Sequence, residues 1–304
     1  MAKSNKIIIQ VCLSGAATKK DVAPTVPYTP DEMAEQTIAC AKAGASIVHI
    51  HVREDKEVDG KMEIGYKSMS RDMFTQTVEK IRELSLKEGV DIVINLTTSG
   101  GEYEDVKRIG HLSALRPEMC SFDPNTLNWN NSFIFENHPR FLNYLSAEIV
   151  KLDVKPEFEI FDTGHIDSAM FYVKKYGIPE PAHLQFIMGV GGSMPGNADC
   201  LAFMVGKLPK DATWSVSGIG LCHMNMMLAG LALGCDGLRV GLEDNVYYAR
   251  GVKASNLMLV ERAVELSKLA GREIATAEDA RSILGITRNC IRDEKTNPMT
   301  WEPT

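Results

Sequence analysis

Two histidines one residue apart close a short apolar run, His49-Ile50-His51-Val52-Arg53-Glu54-Asp55. Side chains on a strand alternate, so His49 and His51 share a face, and their neutral imidazoles can converge on one metal ion. Far along the chain another run ends Arg239-Val240-Gly241-Leu242-Glu243-Asp244-Asn245. Alternation places Arg239, Gly241 and Glu243 on one face. Two histidines and one carboxylate leave an open coordination position, the pattern of a catalytic rather than a structural site, and zinc is the metal that suits such donors. A bare His-x-His is weak evidence, and acids at a strand end are often only solvated. Arg239 is harder to dismiss: a guanidinium inside an apolar strand must pair with an acid or bind an anion, and Asp244 is its most economical partner.

Other strand ends offer hydroxyls and backbone amides. Asn95, Thr97, Thr98, Ser99, Gly100 and Gly101 close the third run, and Ser121 lies in the fourth. Gly189, Gly191, Gly192 and Ser193 follow the sixth, and Ser217, Gly218 and Gly220 the seventh. Gly-rich strand-to-helix turns can present N–H groups to carboxylates or phosphates, although most are only tight turns. In the fifth run Glu157, Glu159 and Phe161 share a face and Asp162 takes the other; either glutamate can face inward. No lysine ends a strand, which disfavours a Schiff-base aldolase. A binuclear amidohydrolase is disfavoured because the His-x-His is not on the first strand; His165 follows the fifth strand and His183 starts the sixth at its wrong end. No Gly-x-Ser-x-Gly motif is present.

The elements that must position these residues alternate from end to end. β-Branched runs predict strands at 6–13, 46–52, 90–98, 118–123, 156–162, 183–190, 213–219 and 237–243. Near-continuous apolar strands of this kind are buried on both faces, as in a parallel sheet. Between them lie amphipathic stretches. Residues 30–44 open on Thr29 as N-cap and Pro30, with acids in the first turn, and close on Gly44. Helices over 72–88, 222–233, 255–270 and 276–284 each end at or just before a glycine. Eight βα units predict an α/β fold of the closed (β/α)8 TIM-barrel type, with chemistry at the C-terminal strand ends. The rival doubly wound sheet lacks a Gly-x-Gly-x-x-Gly after the first strand. One catalytic domain over 1–286 is expected, with a tail over 287–304 packing on a neighbouring subunit.

Composition agrees. The 304 residues are 44% hydrophobic, 24% charged and 7% aromatic, which excludes a disordered or cysteine-framework chain. The net charge of -7 argues against non-specific binding to nucleic acid or anionic membrane, and no apolar run approaches a membrane span. Seven scattered cysteines form no Cys-x-x-Cys pair. The opening MAKSNKIIIQVCLSG lacks a small-residue cleavage site and reads as a first buried strand of a cytoplasmic protein.

Longer motifs carry a resemblance. GASIVHIHVRE (44–54), TTSGG (97–101), RPEMCSFD (116–123), KPEFEIFDTGH (155–165), QFIMGVGGSMPG (185–196), ATWSVSGIG (212–220), LRVGLEDN (238–245) and VERAV (260–264) run in order over roughly residues 6–286. Together they resemble the β-keto acid cleavage enzymes, typified by the enzyme acting on 3-keto-5-aminohexanoate. The resemblance implies a zinc-containing (β/α)8 barrel and a homo-oligomer, expected to be a tetramer. It implies cleavage of a β-keto acid with acetyl-CoA to acetoacetate and a new CoA thioester. By position, His49, His51 and Glu243 would hold zinc, and Arg239 with Asp244 would handle the proton. Thr97 or Thr98 in the Gly100-Gly101 turn, Ser121, and Glu157 or Glu159 would meet substrate. The turns carrying Gly191, Gly192, Ser217 and Gly218 would steady the CoA moiety. One position departs: Gly15-Ala16-Ala17 stands where many relatives have Gly-Ala-Glu, so Ala17 replaces a glutamate that would meet the substrate's far end. A neutral or otherwise different β-keto acid is therefore expected. The loop over 55–71 is longer than in many relatives. The rival functions are a zinc-dependent aldolase acting without CoA and a non-catalytic acyl-CoA- or metal-binding barrel.

Overall fold

Eight parallel strands close into a barrel in a computed structural model that describes residues 4–291. They are β1 (Lys6–Cys12), β2 (Ile47–Ile50), β3 (Val93–Leu96), β4 (Met119–Phe122), β5 (Lys155–Ile160), β6 (His183–Met188), β7 (Thr213–Gly218) and β8 (Gly237–Val240). Each pairs with its sequence neighbour, and β8 returns to β1 with Gln10 opposite Arg239. Around them lie α1 (Pro30–Ala43), α2 (Arg71–Glu88), α3 (Asp105–Leu115), α4 (Pro139–Leu152), α5 (Thr163–Tyr176), α6 (Ala198–Val205), α7 (His223–Ala232), α8 (Asn256–Leu269) and α9 (Ala277–Leu284). This is the (β/α)8 barrel that the sequence predicts.

The helix ends follow local chemistry. The Thr29 side chain accepts from the Glu32 N–H while the Glu32 carboxylate accepts from the Thr29 N–H, a capping box ahead of Pro30. Gly44 ends α1 at φ 116°, a conformation a side chain rarely adopts. The strands are shorter than the apolar runs suggest, because their last residues leave the ladder to face the barrel mouth. The clearest case is β8. Gly241 turns at φ 141°, and a Cβ there would lie 2.1 Å from the Cys12 carbonyl oxygen. The chain then folds back, with the Asp244 and Asn245 N–H groups donating to the Gly241 carbonyl. Glu243 and Asp244 are therefore carried by a turn rather than by a continued strand.

The interior is layered. At the N-terminal end Ile8, Ile47, Val93 and Met119 pack against Ala277, Ala280 and Leu284 of α9, which plugs that mouth. Burying Leu284 contributes on the order of 2 kcal/mol. The next layer is polar: Gln10, Asn95, Glu157 and Gln185 hydrogen-bond one another across the barrel.

Three antiparallel hairpins decorate the C-terminal face. They pair Val52–Val58 with Lys61–Ser68, Leu127–Trp129 with Phe133–Phe135, and Tyr247–Ala249 with Val252–Lys253. The first occupies much of the segment that the sequence reading left as a loop over 55–71. It starts immediately after His51, and Arg53 ties it down by donating to the Ser14, Thr18 and Gly65 carbonyls. The expected tail starts on the barrel itself: Arg288 donates to the Arg116 and Pro117 carbonyls, and Cys290 is buried. Its remainder, 292–304, lies outside the described residues. Among those residues no helix is long and apolar enough to cross a membrane.

Candidate active site

The mouth of the barrel assembles residues from β1, β2, β5, β6, β7 and the turn after β8. His49 lies one residue from the end of β2, opposite Cys12 and Asn95, and His51 follows one alternation later. The turn at Gly241 swings Glu243 over both: Oε1 lies 3.4 Å from His51 Nε2 and Oε2 lies 4.0 Å from His49 Nε2. One donor atom from each of the three lies within 4.8 Å of the others. Gly15 makes this possible on the opposite side. Its φ is +55°, and a Cβ there would lie 2.5 Å from Glu243 Cγ.

Arg239 organises the acids. Its Nε and Nη2 clamp Asp244 at 2.8 and 2.9 Å, and Nη2 also donates to Glu243 at 2.7 Å. Its Nη1 donates to Glu159 at 2.7 Å and to Gln185 Oε1 at 2.8 Å. All five guanidinium N–H groups are thereby engaged. Ser217 Oγ donates to the Asp244 carboxylate at 2.7 Å. Asp244 thus twists inward to Arg239, as the sequence predicts, and Ser217 supports the same acid.

The charge at the mouth is net negative. Three carboxylates surround one guanidinium, and burial of unbalanced charge is costly. Burial opposes ionisation of Glu243, but Arg239 and the two imidazoles outweigh it and hold its carboxyl well below the usual range. Burial pushes His49 down to about 4, leaving a neutral imidazole of the kind that binds metals. Glu243 Oε2 and His49 Nδ1 are buried without a hydrogen-bond partner among the described residues. A divalent ion held by the two Nε2 atoms and Glu243 would give Glu243 Oε2 the partner it lacks, so the residues fit such an ion.

The two glutamates of β5 separate by depth. Glu159 sits at the mouth on Arg239. Glu157 lies one layer below, fully buried, accepting from Gln10, Asn95 and Gln185 at 2.9, 2.8 and 3.0 Å. Burial pushes its carboxyl up to about 7 against those donors. Thr97, Thr98 and Ser121 are buried and bonded locally: the Thr98 N–H donates to Ser121 Oγ, Thr98 Oγ1 donates to the Ser121 carbonyl, and Thr97 Oγ1 accepts from the Ser99 N–H. Ala17 is exposed in the segment after β1, next to Thr18, whose hydroxyl holds the Leu242 carbonyl at 2.8 Å.

The glycines of these turns pack closely against neighbouring segments. A Cβ on Gly191 or Gly192 would meet Asn130 Oδ1 or the Asn128 carbonyl at 2.6 Å, so these residues admit a hairpin. Gly101 likewise faces the Glu136 carbonyl at 2.9 Å and Gly100 the Met69 side chain at 2.8 Å, while Gly218 packs against the start of α7. Sequence reasoning passed over Gln10 and Gln185 as site-shaping residues, although each is a lone amide in an apolar strand. It also passed over Asp123, which accepts from Ser99 Oγ at 2.9 Å and shares a hydrogen bond with Glu159. Burial, then the Glu159 charge, raise the Asp123 carboxyl well above its ordinary range.

Known proteins share this chain's sequence and fold. A 3-keto-5-aminohexanoate cleavage enzyme of Fusobacterium nucleatum is 38% identical over 285 residues, covering 93% of this chain and 99% of its own. A 3-oxoadipate:acetyl-CoA acetyltransferase of Cupriavidus necator is 36% identical over 283 residues, covering 92% and 94%. A 3-dehydrocarnitine:acetyl-CoA trimethylamine transferase of Rhizobium meliloti is 30% identical over 309 residues, covering 95% and 99%. Among solved structures, apo ObcA superposes with a TM-score of 0.72 at 22% identity, over 87% of this chain but 66% of that longer one, and so supports the barrel fold. The sequence profile of the beta-keto acid cleavage enzymes matches residues 6–286, and the chain belongs to that family.

Proposed function

We propose that the protein joins a β-keto acid to the acetyl group of acetyl-CoA and releases acetoacetate and a new acyl-CoA. The observation that carries this is the bidentate Arg239–Asp244 pair set directly beside His49, His51 and Glu243. Zinc held by those three residues would supply Lewis acidity toward the keto and carboxylate oxygens of the substrate. Asp244, fixed by Arg239 and Ser217, takes a proton from the carbon between the two carbonyls. That carbon attacks the thioester carbonyl, and CoA leaves as the thiolate. The thiolate adds to the substrate's former ketone carbon. The bond from that carbon to the acetylated carbon breaks, and Asp244 returns the proton as acetoacetate departs. Arg239, held by Glu159 and Gln185 as well, keeps the Asp244 carboxylate oriented throughout.

Thr97, Thr98 and Ser121 line the same end of the barrel as substrate-facing hydroxyls, and Glu159 faces the variable substituent above the buried Glu157. The relatives' names span an amino-, a carboxyl- and a trimethylammonium-bearing keto acid. Ala17 favours a substituent without a cationic amine. Exposed Phe203, Leu228 and Leu233 favour a homo-oligomer.

The test is a panel of β-keto acids with and without acetyl-CoA, read by acetoacetate release, before and after metal chelation. Expected are acetyl-CoA-dependent acetoacetate, loss on chelation, recovery with zinc, and poor use of amino-bearing acids. Cleavage independent of acetyl-CoA would establish the aldolase instead. Zinc binding without turnover would establish a binding protein.

A further inference from the structure

Outside the barrel mouth, the turn after β7 and the hairpin after β8 enclose a cavity of about 810 Å³, within the size range of small-molecule sites. Its inner end is formed by Glu243 and Asp244, so it is continuous with the reacting carboxylates. Its walls are apolar and aromatic, including Leu221, Met224, Tyr247 and Tyr248, and its outer end carries Arg250 and Arg262.

Three features are costly unless something fills this space. Leu221 is fully exposed at the rim, which marks a contact surface rather than a stable solvent face. His223, the first residue of the ten-residue helix α7, is 3% exposed and lines the cavity, yet neither ring nitrogen has a hydrogen-bond partner among the described residues. An orphaned buried imidazole is penalised until a ligand or water satisfies it. Two arginines converge here in a chain of net charge -7. Arg262 is held in place, stacked 3.4 Å over the Tyr248 ring and donating to the Tyr248 carbonyl. An amphipathic ligand with an apolar arm and an anionic end matches this sequence of surfaces: carboxylates, then apolar wall, then guanidinium groups beside a helix N-terminus.

We propose that this groove seats the arm of the coenzyme thioester, its apolar stretch against Leu221, Met224 and Tyr247 and its phosphates at Arg250, Arg262 and the start of α7, with the thioester carbonyl delivered to Asp244. The proposal rests on the acetyl-CoA reading above. It replaces the glycine turns as the coenzyme site: Gly191, Gly192 and Gly218 are filled by the protein's own backbone and side chains, and the Ser217 hydroxyl is engaged by Asp244.

The experiment compares wild type with Arg250→Glu and Leu221→Asp, both at exposed positions. Steady-state kinetics are measured with acetyl-CoA and with the S-acetyl thioester of N-acetylcysteamine, which has the thioester but no phosphates. Arg250→Glu should raise KM for acetyl-CoA at least tenfold, and that for the truncated thioester less than threefold. Leu221→Asp should raise both, and KM for the β-keto acid should hold within twofold in either variant. Unchanged KM for acetyl-CoA in both variants overturns the proposal. So does dissociation of a wild-type oligomer with KM unchanged, which would make the groove a contact between copies. If wild type shows no acetyl-CoA-dependent turnover, the functional reading falls, and the groove is judged by calorimetric titration with coenzyme A alone. Binding lost in Arg250→Glu upholds it, and absence of binding to wild type overturns it.

Discussion

The barrel carries a buried arginine cluster at each end, and the two differ in whether their polar atoms are matched. At the N-terminal end Arg281 of α9 pairs with Asp91 at 2.7 Å and with Glu118 at 2.7 Å. Glu118 also accepts from the Ile94 N–H, and none of these three side chains leaves a buried polar atom unmatched. At the C-terminal end Arg239 faces three acids, and Glu243 and His49 still keep unpartnered atoms. One cluster closes the barrel; the other keeps unmatched donor atoms at the mouth. The same residue type thus acts as a lock where every buried atom around it is matched and as a scaffold for chemistry where some are not.

Removing each arginine tests that distinction. Arg239→Met leaves three crowded carboxylates and should lower kcat on the order of 10³-fold, besides costing ~3–5 kcal/mol of stability. Arg281→Met should cost a similar ~3–5 kcal/mol in urea unfolding while the folded fraction keeps kcat/KM within about twofold. Equal losses of kcat in the two variants would erase the difference between the ends.

The layer between the clusters adds a pH signature. Glu157 is raised from the ordinary 4.5 to about 7, first by burial. The native state therefore holds a proton that the unfolded chain has released across that window. Its contribution is favourable at low pH and is lost as pH rises through about 7, a decline on the order of 3 kcal/mol. Denaturation of Glu157→Gln from pH 5 to 8 should show a flatter profile than wild type; an identical slope would assign the titration elsewhere. The smallest effect is expected at Gly15. Gly15→Ala pushes on Glu243 Cγ and should weaken zinc affinity roughly 10–100-fold by competition titration, with the fold retained. Undiminished affinity would mean that Glu243 yields freely or does not bind the ion.

Much of this was legible in the residues. The strands were visible because KIIIQVC, VINL and HLQFIM are apolar runs too short for helices, punctuated by glycine and capping residues. His49, His51 and Glu243 were visible because strand ends and donor chemistry coincide. Gln10 and Gln185 were not, since one amide in an apolar run gives no hint that it meets others across a closed barrel. The hairpin from Val52 was hidden because VREDKEV is charged on both faces, as a two-stranded surface ribbon can be. The packing of Gly191 and Gly192 against the hairpin was hidden because a glycine needed by a phosphate and one needed by a neighbouring hairpin look the same in one dimension.

No spacer separates His51 from the ribbon that begins at Val52, and Arg53 rivets that ribbon to the Ser14 and Thr18 carbonyls. The tilt of a surface appendage is thus transmitted to an imidazole one bond upstream. Lengthening, shortening or clamping the ribbon would shift the His51 imidazole against Glu243 with no change to either side chain. A lineage can in this way adjust reactivity from the outside of the molecule.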